Sequence, residues 1–392
     1  MWMYNVNKGL QMKKILTSER IPIKLWLDDI EEGALKQAKN LANLHFAFKW
    51  IAIMPDCHQG FGMPIGGVMA TNGVIVPNAV GVDIGCGMYA AKTSLTDIDG
   101  DTIRVILRKI REVVPLGFEH HKENQKWDGF DHAPDISIIQ NELFSARKQL
   151  GTLGGGNHFI EIQNGSDGYI WIMLHSGSRN FGLKTAEHFH KKAQLMCNRM
   201  NYDIPHKDLA YLPIETSDGK EYFEAMKYCS EFAKANRALM MRNISKIFTA
   251  VTGSHNLDEI NIHHNYAALE NHFGKNVIVH RKGATKASTD TIGIIPGSMG
   301  SYSYIVKGLG NPESFHSCSH GAGRKMGRRE AERSLNLEAE QNKLDGIIHG
   351  LRSKKGLDEA PGAYKDIEEV MENQKDLVEI LITLKPLGSI KA

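Results

Sequence analysis

Residues 81–88 read GVDIGCGM, and from Gln59 to Ala91 around them Asp83 is the only charged side chain. A stretch so poor in charge raises the question of a membrane span, but Gly and Pro interrupt it and a carboxylate sits inside it. It therefore reads as buried strands joined by tight turns, and that choice sets the fold class. The strand-like runs beyond it are short and β-branched or aromatic: WIAIM (50–54), GVIVP (73–77), YIWIML (169–174), NVIVH (276–280) and GIIPG (293–297). Helical spacing appears at 30–44, 101–114, 135–150, 183–200, 220–251, 328–349 and 364–376. Strands and helices do not alternate strictly, so the expectation is α+β, with β-sheets packed as a central core and helices around them. One domain over residues 1–392 is expected, with a mainly helical insertion at about 183–251.

Composition narrows the class without deciding the function. Hydrophobic residues make up 42% and charged residues 23%, ordinary values for a globular protein. The formal net charge is +2, so an acidic partner would have to be met by local basic patches. The five cysteines form no CxxC pair, which points away from a disulfide framework or a zinc knuckle and towards a reducing cytoplasm. The first residues are charged throughout and show no apolar run typical of a secretory signal.

Glycine and histidine cluster where the periodic segments end: PDCHQGFGMPIGG (55–67), GVDIGCGM, GTLGGGNHF (151–159), LHSGSR (174–179), NIHHN (261–265), RKGA (281–284), PGSMGS (296–301) and CSHGAGR (318–324). Such loops let backbone approach a ligand closely. Asp83, Cys86, His158, His175 and His264 offer a carboxylate, a thiolate and imidazoles, a set suited to a divalent transition metal, and a thiolate can bridge two. A buried carboxylate is costly unless a cation answers it, which raises the weight of the group over that of any one histidine. No loop matches the P-loop, and GFGMPIGG misses the dinucleotide fingerprint at Ile65. Glycine loops beside Arg179, Arg281 and Arg324 can still cradle phosphate oxygens. In CSHGAGR, His320 could attack phosphorus to give a phosphoramidate, with Cys318 as a rival nucleophile.

Taken in order, GVDIGCGM, LGGGNHFIE, MLHSGSR, EINIHHNY, RKGA, GIIPGSMG, SYIVKGLGN, SCSHGAGR and AYKDI resemble the RtcB family of RNA ligases from about Pro55 onward. The resemblance implies joining of RNA 2′,3′-cyclic phosphate or 3′-phosphate ends to 5′-hydroxyl ends, in RNA repair or tRNA splicing, with GTP as co-substrate and two Mn²⁺ ions. His320 would take GMP from GTP and pass it to the RNA 3′-phosphate. Cys86 would bridge the metals, with Asp83 and His158 completing one site and His175 and His264 the other. Asn157 and Arg324 would lie near the guanylate phosphates, Glu161 and Lys391 would recognise guanine, and Tyr364 would pack beside it. Asn265, Lys282 and Ser298 would be further contacts. The basic run Arg324, Lys325, Arg328, Arg329 and Arg333 could meet RNA phosphates or form a solvated helix face. A binuclear phosphoesterase acting on RNA ends would use the same ligands, and a non-catalytic RNA-binding protein would need none. The expected setting is cytoplasmic, without a membrane.

Overall fold

The computed structural model describes residues 12–391. Two large sheets dominate. The one that positions the site has seven antiparallel strands in the order Asn256–His263, Gly87–Thr93, Ile170–Ser176, Phe159–Gly165, Val378–Lys391, Ser303–Gly308 and Ile292–Ile295. The other has six, in the order Lys14–Leu16, Ile23–Leu25, Ala47–His58, Ile65–Thr71, Lys275–Lys282 and Asn265–His272. Their strands alternate inward and outward, yet both faces of the seven-stranded sheet are covered. Tyr89, Ile160, Ile172 and Leu174 pack under helices with Met240, Ile244 and Phe248. Met88, Phe159, Trp171 and Met173 face the other way and meet Ile294 and Ile305. Met88 and Ile294 belong to strands near opposite edges of the sheet, so it curls towards closure as a near-barrel.

These observations bear out an α+β fold with sheets at the centre. Burial on both faces explains why YIWIML is a continuous apolar run rather than an alternating one. The helix Ser217–Thr252 begins at Thr216, whose hydroxyl caps Gly219 N, and ends at Gly253 with φ 74°. Its first half packs Tyr222, Met226 and Phe232 against one core, and its second half packs on the sheet.

Three expected elements differ. GVIVP contributes only the strand Val74–Ile75, because Pro77 opens a short helix, Pro77–Val80. The helix expected at 328–349 is two short ones, Arg328–Ser334 and Leu337–Asn342, the second capped by Asn336, whose side chain accepts from Ala339 N. The pattern at 364–376 yields only Ile367–Glu372, capped by Asp366. Among the described residues no helix is long and apolar enough to cross a membrane.

Candidate active site

Strand register gathers the expected metal ligands. Met88 and Phe159 both pair with His175, and Gly87 pairs with both Ser176 and His263. Cys86 and His158 therefore sit just before their strands, and His175 and His264 just at the matching ends of theirs. All four meet at one end of neighbouring strands. Cys86 Sγ lies 3.4 Å from His158 Nε2 and 3.3 Å from His175 Nε2, and His175 Nε2 lies 3.3 Å from His264 Nε2. Asp83 Oδ2 is 3.2 Å from His158 Nε2. The other oxygen of Asp83 accepts from the backbone N–H and hydroxyl of Ser178. Gly177 permits this approach, since a Cβ there would fall 2.1 Å from the carboxylate.

The donor set fits a transition metal. His158 Nδ1 faces Leu153 O at 2.9 Å and His175 Nδ1 faces Asn157 O at 3.2 Å, so each Nδ1–H donates to a carbonyl and each Nε2 presents its lone pair to the cluster. Burial holds His175 and His264 well below the usual imidazole range, keeping them neutral. Burial raises the Cys86 thiol, and Asp83 adds to the effect. A thiolate here calls for cations, and so does the Asp83 carboxylate, whose Oδ2 faces the lone pair of His158 Nε2. Cys86, His158 and His175 place one ligand atom each within 4.8 Å of one another.

His320 abuts this cluster, its ring centroid 4.8 Å from that of His264. Its Nδ1 is 2.6 Å from Asp56 Oδ2, and the same oxygen accepts the His320 backbone N–H at 3.0 Å. Asp56 is fully buried. Burial would raise it, but His320 opposes that and holds the carboxyl below its ordinary value. The proton then rests on Nδ1 and Nε2 is free to act. Cys318 differs: its thiol is buried, raised by that burial, and turned to the Ser319 carbonyl. The geometry favours His320 over Cys318 as a nucleophile.

A cleft opens beside His320, lined by Asn157, Phe159, Gly321, Arg324, Tyr364 and Lys391 among others. The Lys391 ammonium lies 5.2 Å from the Phe159 ring and 6.0 Å from the Tyr364 ring, and Arg324 stacks 5.3 Å over Tyr364. Glu359 organises these groups: it pairs with Arg324 at 3.2 Å, Arg328 at 2.6 Å and Lys391 at 3.4 Å, and accepts from the Tyr364 hydroxyl. Glu161 is buried behind the cleft, pushed up to about 7 by that burial.

Other expected contacts stand back from the cleft. Asn265 braces loops, donating to Asp83 O and accepting from Gly283 N. Lys282 is buried, donating to Phe61 O and Asn78 O, and burial lowers it to about 7. Ser298 bonds within its own turn to Ser301. Arg281 is not a phosphate clamp: buried, it makes a two-pronged pair with Glu270 and donates further to Ser317 and Phe315. Of the basic run, Arg324 and Arg328 are engaged with acids, while Lys325, Arg329 and Arg333 are exposed. Cys57 is fully buried in the hydrophobic core, so it adds no ligand atom to the cluster.

Sequence reasoning passed over Asp56, Glu359, Asn236 and Arg237. Asp56 stands in PDCHQG, a stretch whose sequence alone gives it no partner. Arg237 donates to Gly85 O and Ser176 O at 2.9 Å each, holding the loops of Cys86 and His175 from below. Asn236 bonds Gly151, Thr152, Ser176 and Gly177. The available signal was a polar pair amid the apolar spacing of a helix.

A thiol, imidazoles and a carboxylate at the end of a curled sheet, with a further histidine facing a cation-lined cleft, define an α+β protein whose site could hold a metal ion. Comparison with known proteins agrees. The family model described as tRNA-splicing ligase RtcB matches residues 37–137 and 129–392. The RNA-splicing ligase RtcB of Escherichia coli (strain K12) is 39% identical over 405 residues, covering 96% of this chain and 99% of its own. The tRNA-splicing ligase RtcB of Thermococcus kodakarensis is 31% identical, covering 95% of both chains. The RNA-splicing ligase RtcB of Mycobacterium tuberculosis is 30% identical, covering 91% of this chain and all of its own. The chain belongs to the RtcB family.

Proposed function

We propose that this protein is an RNA ligase that seals 3′-phosphate or 2′,3′-cyclic phosphate ends to 5′-hydroxyl ends, using GTP and passing through a histidine–GMP adduct. The observation that supports this most strongly is His320: a histidine whose Nδ1 is held by a buried carboxylate, against a cluster of ligand atoms and facing the cleft. In the first step the His320 Nε2 lone pair attacks the α-phosphorus of GTP, the bond to the bridging oxygen breaks, and pyrophosphate leaves. The positive charge gained by the ring faces Asp56, which keeps the Nδ1 proton in place. In the second step an oxygen of the RNA 3′-phosphate, exposed once any cyclic phosphate has been opened, attacks the same phosphorus and frees the imidazole. The 5′-hydroxyl then attacks the RNA phosphorus, loses its proton, and expels GMP.

Cys86 with Asp83, His158, His175 and His264 would hold Mn²⁺, which supplies neutralisation of phosphate charge. Arg324 and Asn157 would steady the guanylate phosphates, and Tyr364, Glu161 and Lys391 would hold the base. Incubation with GTP and Mn²⁺ should add one GMP to the intact mass. His320→Ala should keep its metal and bind GTP, yet form no adduct, while sealing RNA already activated as a 3′-terminal diphosphate-linked guanosine. An adduct on Cys318, or metal-dependent RNA cleavage with no adduct at all, would favour the phosphoesterase reading instead.

A further inference from the structure

Two exposed loops adjoin the ligand cluster. On one side is the 81–83 turn, where Val82 is 42% exposed and the Asp83 side chain 28%. On the other is the 154–156 glycine loop leading to His158, with Gly155 and Gly156 exposed. Each is tied through the backbone to a segment that carries an exposed aromatic residue. Phe118 is fully exposed, and its loop is fastened to the glycine loop: Gly117 N donates to Gly154 O at 3.0 Å, Leu153 N to Pro115 O at 3.0 Å, and Arg179 to Gly117 O at 3.1 Å. Gly117 takes φ 59°, a turn that leaves the next side chain unburied. Phe61 is 72% exposed, and its carbonyl accepts from Lys282, whose stem runs against Gly81. Ile65, four residues on, lines the His320 cleft.

We propose that Phe61 and Phe118 form an aromatic rim at the mouth of the metal centre, on which unpaired terminal bases of the RNA stack. The proposal rests on the RNA-ligase reading. Two separate rings with glycine and a carboxylate between them are too small a patch for a protein interface, which needs roughly 800 Å² per partner. They suit bases, which every single strand presents as flat faces and which aromatic platforms hold without regard to sequence. Stacking at the rim would lead the reacting ends towards the cluster while the bases stay outside it.

The test measures binding of a twelve-nucleotide single-stranded RNA with a 5′-hydroxyl and a 3′-fluorophore by anisotropy, beside the rate of GMP adduct formation. Phe118→Ala and Phe61→Ala should each weaken RNA binding roughly five- to fiftyfold. Phe118→Trp should bind within about twofold of wild type, as expected if a flat ring is what matters. Adduct formation should proceed at the wild-type rate in all three, which also shows that they fold. Wild-type RNA affinity in both alanine variants overturns the rim. Failure of the wild type itself to bind RNA overturns the RNA-ligase reading, and the rim with it.

Discussion

Asp56 offers one oxygen to two donors of His320, which fixes both the backbone and the ring of that residue. In the proposed reaction its charge matters more than its shape, because the ring would become cationic when Nε2 forms a bond to phosphorus. Asp56→Asn should therefore slow GMP adduct formation about a hundredfold or more while metal content stays unchanged, as checked by time-resolved intact mass and metal analysis. Glu161 brings a pH dependence. Burial raises it to about 7, far above its unfolded value near ~4.3. Between those values the folded protein holds a proton that the unfolded chain has released. This group thus adds stability as pH falls below 7 and gives it up as pH rises through 7. In the proposed function, recognition of guanine by the Glu161 carboxylate would run the opposite way. GTP affinity should drop on going from pH 8 to pH 6, and calorimetric titration of Glu161→Gln should show weak binding at both. Both residues were open to view in the sequence in different degrees. Glu161 could be placed by resemblance, whereas Asp56 gains its meaning only when the strand Ala47–His58 meets the loop of His320, 264 residues away.

At the scale of elements, the ligand cluster is held by strand ends above and by one helix below. Asn236 and Arg237 are fully buried in the middle of Ser217–Thr252 and use their polar groups on the loops of Cys86 and His175. Arg237→Met keeps much of the volume but leaves carbonyls at Gly85 and Ser176 without their donor. The expected cost is about 3–5 kcal/mol in denaturant unfolding, together with weaker metal binding, since the Cys86 loop loses its brace. Stability loss with unaltered metal affinity would mean that the helix supports the core alone. The long helix was legible because its apolar spacing is strong, and WIAIM, YIWIML and NVIVH were legible because both sheet faces are buried. The strand Val378–Lys391 was not: its exposed positions Glu379, Ile380 and Leu381 run consecutively rather than alternating, and its register shifts between Pro386 and Gly388. The pair Asn256–His263 and Asn265–His272 escaped for a related reason, as each lies at the edge of its sheet and is largely polar. Edge strands and a bulged strand lack the regular alternation that periodicity detects.

Across the whole molecule, the segment at 183–251 shares its buried surface with both sheets rather than enclosing a core of its own. Tyr222 and Phe232 lie with Ile51 and Ile53 of the six-stranded side, while Met240 and Phe248 lie with Ile160 and Leu174 of the seven-stranded side. We propose from this that the 392-residue chain unfolds as one cooperative unit and that the helical insertion is no separate domain. The ligand cluster joins loops from strands far apart in sequence, so a cation bound there would hold the folded state and would have no equal site in the unfolded chain. Saturating Mn²⁺ at a hundred times its dissociation constant should add about 2.7 kcal/mol, and chelation should remove it, in each case moving a single calorimetric transition. Cys86→Ser should lose most of that shift, because its sulfur is the ligand atom within reach of both His158 and His175. Two transitions, only one of them moved by Mn²⁺, would show that the helical segment unfolds on its own.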